Sequence, residues 1–369
     1  MGRRGRRAGT RSRCHRGGVA PRRHRAAVGG TRRGRLDHAA VDHRPRGSRR
    51  RANRSLRRST GACCVSRQIG TALLGLGRTA AALYVPALQA HPRYELVALS
   101  SSHAGRAAET AAARKIAHAY DDWREAVADP SVELVVVASA HDARAQQLRE
   151  ALRAGRHILT RVPFGDSRDE AAILLEAARE TQRVAGAALP LRYLSAFQAL
   201  RELVRGAHLG DARLAAWRQV SAAWHRAAAV HAVDALRWTL GGASSHIQRL
   251  EGERQLLLQM RNGADCASQL ALDGRGATED FSFSVSGSRR MALVVGDHPE
   301  DGELHVIEGD RDDEYALRPS RYQRFAAAHR LVPPLLELLD DLALAIDGNA
   351  MTAPALADAA AAMDATTWA

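Results

Sequence analysis

The feature that most constrains this sequence is a regular alternation, from Ile69 onward, of short apolar runs with longer amphipathic segments. The first runs are Ile69–Leu74, residues 95–99 and Leu134–Val137. Alternation of this kind is typical of parallel strands that are joined by covering helices. The Val-rich run Leu134–Val137 is typical of a strand buried on both faces. We therefore predict a doubly wound α/β domain with a parallel sheet over residues 68–189.

The pattern changes after Pro190, where the apolar runs become short, alternating and separated by turns. Asn262-Gly263 and Asp273-Gly274 stand between such runs, and both dipeptides favour tight hairpin turns. We predict a second, α+β domain over residues 190–369 with a mostly antiparallel or mixed sheet. Helices over residues 334–346 and 355–363 are expected to close the chain and to pack back on the first domain.

A glycine-rich loop, Gly75-Leu76-Gly77-Arg78-Thr79-Ala80, follows the first predicted strand and leads into the first helix. In this pattern the first glycine permits a tight turn, and the second lets the backbone approach a pyrophosphate. The small alanine lets the helix pack closely on the strand. Because N–H groups at a helix N-terminus favour phosphate, we predict a Rossmann-like dinucleotide site formed by Gly75, Gly77, Arg78, Thr79 and Ala80. The alternative is a loop that keeps only its role in folding.

The second predicted strand ends in three serines, residues 100–102. Ser101 occupies the place where NAD sites commonly carry an acidic residue on the ribose hydroxyls. A serine there removes a carboxylate that would repel a 2′-phosphate, so NADP is allowed as well as NAD. His103 or Arg106 would then lie near that phosphate, the alternative being that these residues form only a polar turn.

The charge of the chain is distributed unevenly. The formal net charge is +14, yet residues 1–68 alone carry +20, because they hold 22 of the 54 basic residues and only the acidic Asp37 and Asp42. The other 301 residues therefore carry −6. A segment of Arg, Gly, Ala, His and Pro without apolar periodicity buries too little surface to offset the entropy of ordering. We predict a disordered basic tail over residues 1–67.

Three interpretations of this tail compete. Clustered arginines neutralise phosphates, which is typical of a nucleic-acid tether. A targeting peptide fits less well, because no apolar run follows the charges. We favour a true start near Val65, because 53 arginines against one lysine, Lys115, indicate GC-rich coding DNA whose out-of-frame translation yields such a mixture. On that interpretation we expect no nucleic-acid partner.

Cysteine usage and missing motifs exclude several classes of protein. Only Cys266 lies outside the segment up to Cys64, so there is no disulfide framework and we expect a cytoplasmic protein. No apolar stretch approaches the ~18 residues of a membrane span. The sequence contains no GxSxG, GxxxxGK[ST] or HExxH motif, so we expect no nucleophile elbow, no P-loop and no metal site.

Several stretches resemble the glucose-fructose oxidoreductase, inositol dehydrogenase and rhizopine catabolism (Gfo/Idh/MocA) family. They run in order from about Gln68 to the C-terminus, at residues 74–78, 84–88, 154–159, 161–163, 191–197 and 231–238. The resemblance implies an NAD(P)-dependent oxidoreductase with a small-molecule substrate that forms a homo-oligomer through its C-terminal sheet. It also implies site residues: His231 for catalysis; Arg192, Tyr193 and Asp234 for the substrate; and Ser139, Arg161 and Pro163, besides the glycine loop and Ser101, for the cofactor.

The sequence departs from the family at the residues that move protons. Where the family has Glu-Lys-Pro, with a lysine that assists proton transfer, this chain reads Arg161-Val162-Pro163. The aspartate of the family's second motif is Ala227 here, whereas His231 and Asp234 remain. The single lysine, Lys115, lies on a predicted helix of the first domain and cannot easily take over.

A general acid or base contributes roughly 10² to 10⁴ in rate, or about 3 to 5 kcal/mol of barrier. Losing both groups should suppress alcohol oxidation, which needs the hydroxyl proton removed. Reduction of a C=N or C=C bond depends less on them, because water or the substrate can supply a proton. We therefore predict an atypical reductase rather than a polyol dehydrogenase. The alternative is a catalytically silent member that binds a dinucleotide or a sugar-like ligand and acts by interaction or regulation.

Overall fold

The computed structural model describes residues 67–222, 226–263, 266–276, 278–326 and 329–366, apart from the side chains of residues 141 and 226. These residues fall within one compact unit. The predictions about the tail and about a start near Val65 lie outside the described residues, except at Arg67.

The first layer is a six-stranded sheet, sheet A, in the order β3-β2-β1-β4-β5-β6, and every pairing in it is parallel. Its strands are β1 Ile69–Leu74, β2 Tyr94–Ser100, β3 His118–Tyr120, β4 Leu134–Val137, β5 His157–Thr160 and β6 Ala185–Ala187. Its helices are α1 Val85–Ala90, which continues a π-helical turn at Ala80–Tyr84, α2 Arg106–Arg114, α3 Trp123–Ala128, α4 His141–Arg153 and α5 Arg168–Thr181. The strand order reverses between β1 and β4, which is where doubly wound sheets bind ligands.

The second layer is an eight-stranded sheet, sheet B, in the order β14-β13-β12-β11-β7-β10-β9-β8. Its strands are β7 Ala212–Val220, β8 Ser244–Gly252, β9 Gln255–Asn262, β10 Cys266–Asp273, β11 Asp280–Gly287, β12 Met291–Gly296, β13 Glu303–Glu308 and β14 Arg311–Glu314. Only the pairing of β7 with β10 is parallel among these strands. The predicted fold class, a parallel sheet followed by a mixed one, is confirmed.

Helices cover one face of sheet B. They are α6 Ser195–Arg205 and α7 Arg226–Leu240, preceded by a 3-10 turn at Pro190–Tyr193. The apolar residues of α6 recur at helical spacing, so Phe197 and its neighbours form one buried stripe. Phe197 packs edge to face on Trp217 of β7, with ring centroids 5.7 Å apart, and both are buried. This contact holds α6 on the sheet.

The last two helices join the layers. The buried face of α8, Val332–Ile346, shares a core with β1, β2 and α1 of the first layer. The α9 helix, Leu356–Thr366, packs mainly on α7 and also touches α5 and β6. Ala187 N–H donates to the Pro354 carbonyl (2.8 Å), which ties the segment before α9 to the edge of sheet A.

One turn prediction is wrong. Asn262-Gly263 does lie between the paired strands β9 and β10, but Asp273-Gly274 does not form a hairpin. Strand β7 lies between β10 and β11 and pairs with both, so the segment after Asp273 crosses over β7. The Asp273 carboxylate accepts the Arg275 N–H (2.9 Å), a local turn that a crossover also accommodates.

Candidate active site

A cavity of about 420 Å³ lies between the carboxyl ends of sheet A and the helix-covered side of sheet B. It lies next to the glycine loop, the turn after β5, α7 and two loops of the second domain. Its lining residues include Thr79, Leu83, Tyr84, Arg161, Val162, Ala188, Pro190, Leu191, Trp217, Gln219, Ser221, Ala227, Ala228, His231, Leu272, His298, Pro299, Glu300, His329 and Leu331.

The glycine loop meets the end of β4 at the point where the strand order reverses. Gly75 has φ +89°, a backbone conformation that residues other than glycine rarely adopt. A Cβ on Gly75 would stand 2.4 Å from the Cα of Ser139, so the two backbones are in direct contact. The Ser139 side chain donates to Gln147, and its carbonyl accepts from Arg144 (2.7 Å). Ser139 therefore supports the loop through its backbone.

The rest of the loop fits a dinucleotide. A Cβ on Gly77 would meet no atom within 4 Å, so there is open space beside its backbone. The helix begins at Arg78, and Arg78 and Thr79 are exposed there while Ala80 is buried against the strand. The first N–H groups of a helix have no intrahelical acceptor and favour phosphate oxygens. An open backbone beside such a helix start is what a pyrophosphate requires.

The predicted ribose position lies at the end of β2. Ser101 is buried, its N–H donates to the Tyr120 carbonyl (3.3 Å) and its hydroxyl accepts the His103 N–H (3.2 Å). His103 is exposed, and so is Arg106, the first residue of α2. This geometry is compatible with either NAD or NADP.

The turn after β5 carries a cation into the cavity. Arg161 and Val162 both line it, and the Val162–Pro163 peptide is cis. Behind the turn, the buried Arg144 donates to the Pro163 carbonyl. Burial, reinforced by the charge of Arg161, lowers the pKa of Arg144 to about 10. Across from it, burial raises the pKa of Tyr84 to about 12, although Arg161 and Arg144 act in the opposite direction.

The first turns of α7 form another wall. Ala227 and His231, four residues apart, lie on the same side of the helix and both line the cavity. The positions that carry lysine and aspartate in the family, Val162 and Ala227, therefore open on one cavity together with His231. Among the described lining residues there is neither a lysine nor an aspartate.

Three residues predicted to contact the substrate lie elsewhere. Arg192 and Asp234 bind each other, with Arg192 Nε 2.9 Å from Asp234 Oδ2, and Asp234 is 2% exposed. Burial acts to lower the pKa of Arg192, but the hydrogen bonds and charge of Asp234 hold it above its usual value. The Tyr193 hydroxyl donates to Asp341 of α8 (2.7 Å). None of the three is among the residues that line the described cavity.

Sequence reasoning missed several polar residues of the cavity. They are Tyr84, Gln219, Ser221, His298, Glu300 and His329. Tyr84 belongs to a family-like stretch and could have been found from its place in the helix that follows the glycine loop. His298 and Glu300 stand in the β12–β13 connection, and the His298 Nδ1 lies 3.8 Å from Glu279. No local pattern marks these residues, because the fold alone brings their loops to the cavity.

Within the part of the chain that the structure describes, no helix combines the length and the apolar character needed to cross a membrane.

Comparison with known proteins identifies the class of the first domain. Residues 69–188 match the model of an oxidoreductase family with an NAD-binding Rossmann fold. An uncharacterized oxidoreductase of Synechocystis is 27% identical over 199 residues, 49% of this chain and 53% of that protein. The 1,5-anhydro-D-fructose reductase of Ensifer adhaerens is 30% identical over 116 residues, 31% of this chain and 35% of that protein. The chain thus spans about half or less of these relatives.

Solved structures match over a longer range. Levoglucosan dehydrogenase, in a complex with NADH and levoglucosan, superposes with a TM-score of 0.71. The match covers 81% of this chain and 96% of that one, at 16% sequence identity. At this identity the likeness concerns the fold, which extends through both sheets.

Proposed function

Because the chain belongs to the Gfo/Idh/MocA family of NAD-binding oxidoreductases, we propose that it reduces a C=N or C=C bond of a small molecule with NADPH or NADH. The observation that carries this proposal is the make-up of the cavity wall. Val162 and Ala227 both line the cavity, so the two family positions that handle the hydroxyl proton carry no titratable group. Oxidation of a polyol is the reaction most impaired by that change.

The glycine loop would hold the cofactor. Gly75 and Gly77 bring the backbone to the pyrophosphate, Ala80 lets the helix pack close behind it, and Thr79 stands where the loop meets the cavity. When bound, the reduced nicotinamide supplies a hydride, that is, two electrons and one proton, and is left oxidised. The carboxyl end of β5 then forms the cavity wall on the far side of the glycine loop.

The second hydrogen of the reduction must enter as a proton. It adds to the nitrogen of a C=N bond, or to the carbon next to the activating group of a C=C bond. We assign this donation to His231, because it lines the cavity one turn after Ala227 and because an imidazole can exchange protons near neutral pH. Water then reprotonates the ring between turnovers.

The test is a titration of the full chain with NADPH and NADH, followed by nicotinamide fluorescence, and then turnover with panels of cyclic imines, enones and polyols. We expect micromolar binding of at least one cofactor and reduction of imines or enones, with no polyol oxidation. Replacing His231 by Asn should lower kcat by about 10² or more and leave cofactor affinity unchanged. Absence of binding up to millimolar cofactor would instead favour a silent, ligand-binding member of the family.

A gain-of-function variant sharpens the test. Val162→Lys combined with Ala227→Asp restores both missing groups on the wall of the same cavity. We expect measurable polyol oxidation from the double variant and none from Val162→Lys with Ala227 left in place. Vigorous polyol oxidation by the unaltered chain would contradict the proposal directly.

We also propose that the chain forms a homo-oligomer through the outer face of sheet B, the face turned away from α6 and α7. Leu214 and Leu250 are 49% and 71% exposed on strands β7 and β8. Large apolar side chains on an open sheet face favour association with a second copy.

A further inference from the structure

Arg161 is a cation on the cavity wall whose charge no described residue balances. Its side chain is half-buried and lines the cavity, yet none of the described acidic side chains forms an ion pair with it. Glu300, the one carboxylate among the described lining residues, is also not paired with it. A second cation, Arg144, lies behind the same turn, and the charge of Arg161 acts on it. A partly desolvated guanidinium without a counter-ion is stabilised by an anion that enters the cavity.

Tyr84 supplies a second unused donor beside it. Its side chain is 3% exposed, and its hydroxyl makes no hydrogen bond with any described residue. Tyr84 lines the cavity. Arg161 and Tyr84 line the same cavity, and the charge of Arg161 acts to lower the pKa of the phenol. A buried hydroxyl at a cavity wall without a protein partner points to a ligand.

The turn that carries Arg161 is held in place from behind. Arg144 donates to the carbonyls of Ser139 and Pro163, so the backbone on both sides of this cavity wall is fixed. Its positive charge adds to that of Arg161 at this end of the cavity. The cavity wall at this end is therefore preorganised and electropositive.

The strand order argues that this anion is not the cofactor's pyrophosphate. Arg161 follows β5, which lies two strands from β1 and its glycine loop. Strands are spaced by about 4.8 Å, so the two carboxyl ends are roughly 10 Å apart. The pyrophosphate is expected at the glycine loop, whereas the reacting end of the site lies toward β5.

We propose that Arg161 and Tyr84 form a carboxylate-binding site, and that the substrate carries a carboxylate beside the double bond that is reduced. This inference rests on the proposed reductase function for its chemistry, but the site itself can be tested by binding alone. A carboxylate fits because one guanidinium and one phenol offer several hydrogen-bond donors and one positive charge. A phosphate monoester, with about −1.5 to −2 charges, would leave charge uncompensated. Cyclic imines with a carboxylate on the imine carbon, and α,β-unsaturated acids, are the substrates that this geometry favours.

The experiment compares two planar probes that differ only in charge, pyrrole-2-carboxylate and pyrrole-2-carboxamide. Each is titrated calorimetrically into the full chain with and without saturating NADP⁺. We expect the carboxylate to bind about 10- to 100-fold more tightly, the value of a charge-assisted hydrogen bond. Arg161→Gln should abolish this preference, Arg161→Lys should retain part of it, and Tyr84→Phe should reduce it. NADPH affinity is measured in the same variants, because the family resemblance also assigns Arg161 to the cofactor; we expect the carboxylate preference to fall by a much larger factor than NADPH affinity.

Arg153→Gln is the matched control, because Arg153 is exposed on α4 and loses the same charge away from the cavity. It should keep the full carboxylate preference. Equal affinity for the two probes, no measurable affinity for the carboxylate, or a loss of NADPH affinity in Arg161→Gln as large as the loss of carboxylate preference would overturn the site. Thermal unfolding of each variant confirms that it is folded before it is titrated.

A parallel assay separates this inference from the proposed function. Reduction by NADPH is measured with 1-pyrroline-2-carboxylate and with 1-pyrroline. Carboxylate preference in binding without reduction of any imine or enone would support the site and contradict the reductase. Reduction of both imines with equal kcat/KM would support the reductase and contradict the site.

Discussion

Gly75 and Gly77 stand two positions apart, and the reason for glycine differs between the two positions. At Gly75 the requirement is internal, because φ is +89° and a Cβ would overlap the backbone of Ser139. At Gly77 the backbone is unremarkable and the space beside it is open, so the protein itself would accept a larger residue. The first glycine therefore serves the fold, and the second leaves open space beside the backbone.

Replacing each glycine by alanine should separate these roles. Gly75→Ala is expected to lower the free energy of unfolding by at least about 1 to 3 kcal/mol, through backbone strain and the clash with Ser139. Gly77→Ala should change it by no more than about 0.5 kcal/mol, yet weaken NADPH binding about tenfold or more. Urea unfolding and NADPH titration measure the two effects. Unaltered NADPH affinity in Gly77→Ala would mean that the open space does not receive the pyrophosphate.

The residues of the site divide according to whether a local pattern marks them. The glycine loop can be predicted because its chemistry lies within six consecutive residues. His231 was found through a motif and lines the cavity. His298 and His329 could not be found, because they come from loops that only the packing of sheet B and α8 brings to the cavity. Asp234 was also found through a motif, but its buried carboxylate binds Arg192 and does not line the cavity.

At the scale of elements, the pair between Arg192 and Asp234 fixes α7 against the 3-10 turn that follows sheet A. Arg192 also contacts Asp358 of α9 (3.4 Å), so three elements meet at one guanidinium. Asp234 lies almost a full turn beyond His231, so this pair holds the helix whose His231 lines the cavity. Its role is to set the position of α7 rather than to touch a substrate.

Replacing one member of this ion pair should lower the free energy of unfolding more than replacing both members. Asp234→Asn leaves the buried guanidinium without its carboxylate, and we expect the free energy of unfolding to fall by about 3 to 5 kcal/mol. The double variant Arg192→Met with Asp234→Leu should lose clearly less, because no uncompensated charge remains. Urea unfolding at neutral pH measures both. A double variant as unstable as the single one would show that the two charges do not act as a buried pair.

Predictions of elements succeeded where the periodicity was long or fully apolar. Ile69–Leu74 was predicted with its observed bounds, and Leu134–Val137 was predicted as the centre of a strand, because a central strand buried on both faces leaves a continuous apolar run. Strand β3 and helix α3 were not predicted, since they have three and six residues and show too few periods for a pattern. The hairpin predicted at Asp273-Gly274 is wrong because a dipeptide specifies only the local turn. Which strand pairs with β10 depends on the position of β7, which lies between β10 and β11.

At the scale of the whole molecule, the outer face of sheet B has the size of a protein interface. Leu250, Leu257, Ala271 and Arg218 stand opposite one another across β8, β9, β10 and β7, so they form a row on one face. The next row on the opposite face, which includes Trp217, is buried under the helices. Eight strands at ~4.8 Å and about eight residues at ~3.4 Å give on the order of 1,000 Å². A standard interface buries about 800 Å² per partner, so a second copy can cover most of this face.

The association is tested by one substitution on this face and an equal one elsewhere. Leu250→Glu replaces the 71% exposed leucine of this row by a charge, and we expect light scattering to show a shift from dimer or higher oligomer toward monomer. Leu344→Glu makes the same change on α8, where Leu344 is 46% exposed, and should leave the mass unchanged. Because burying an unpaired carboxylate costs several kcal/mol, even one such residue per copy should raise the dissociation constant at least a hundredfold. A monomeric unaltered chain at tens of micromolar, or equal dissociation of both variants, would refute the role assigned to the sheet.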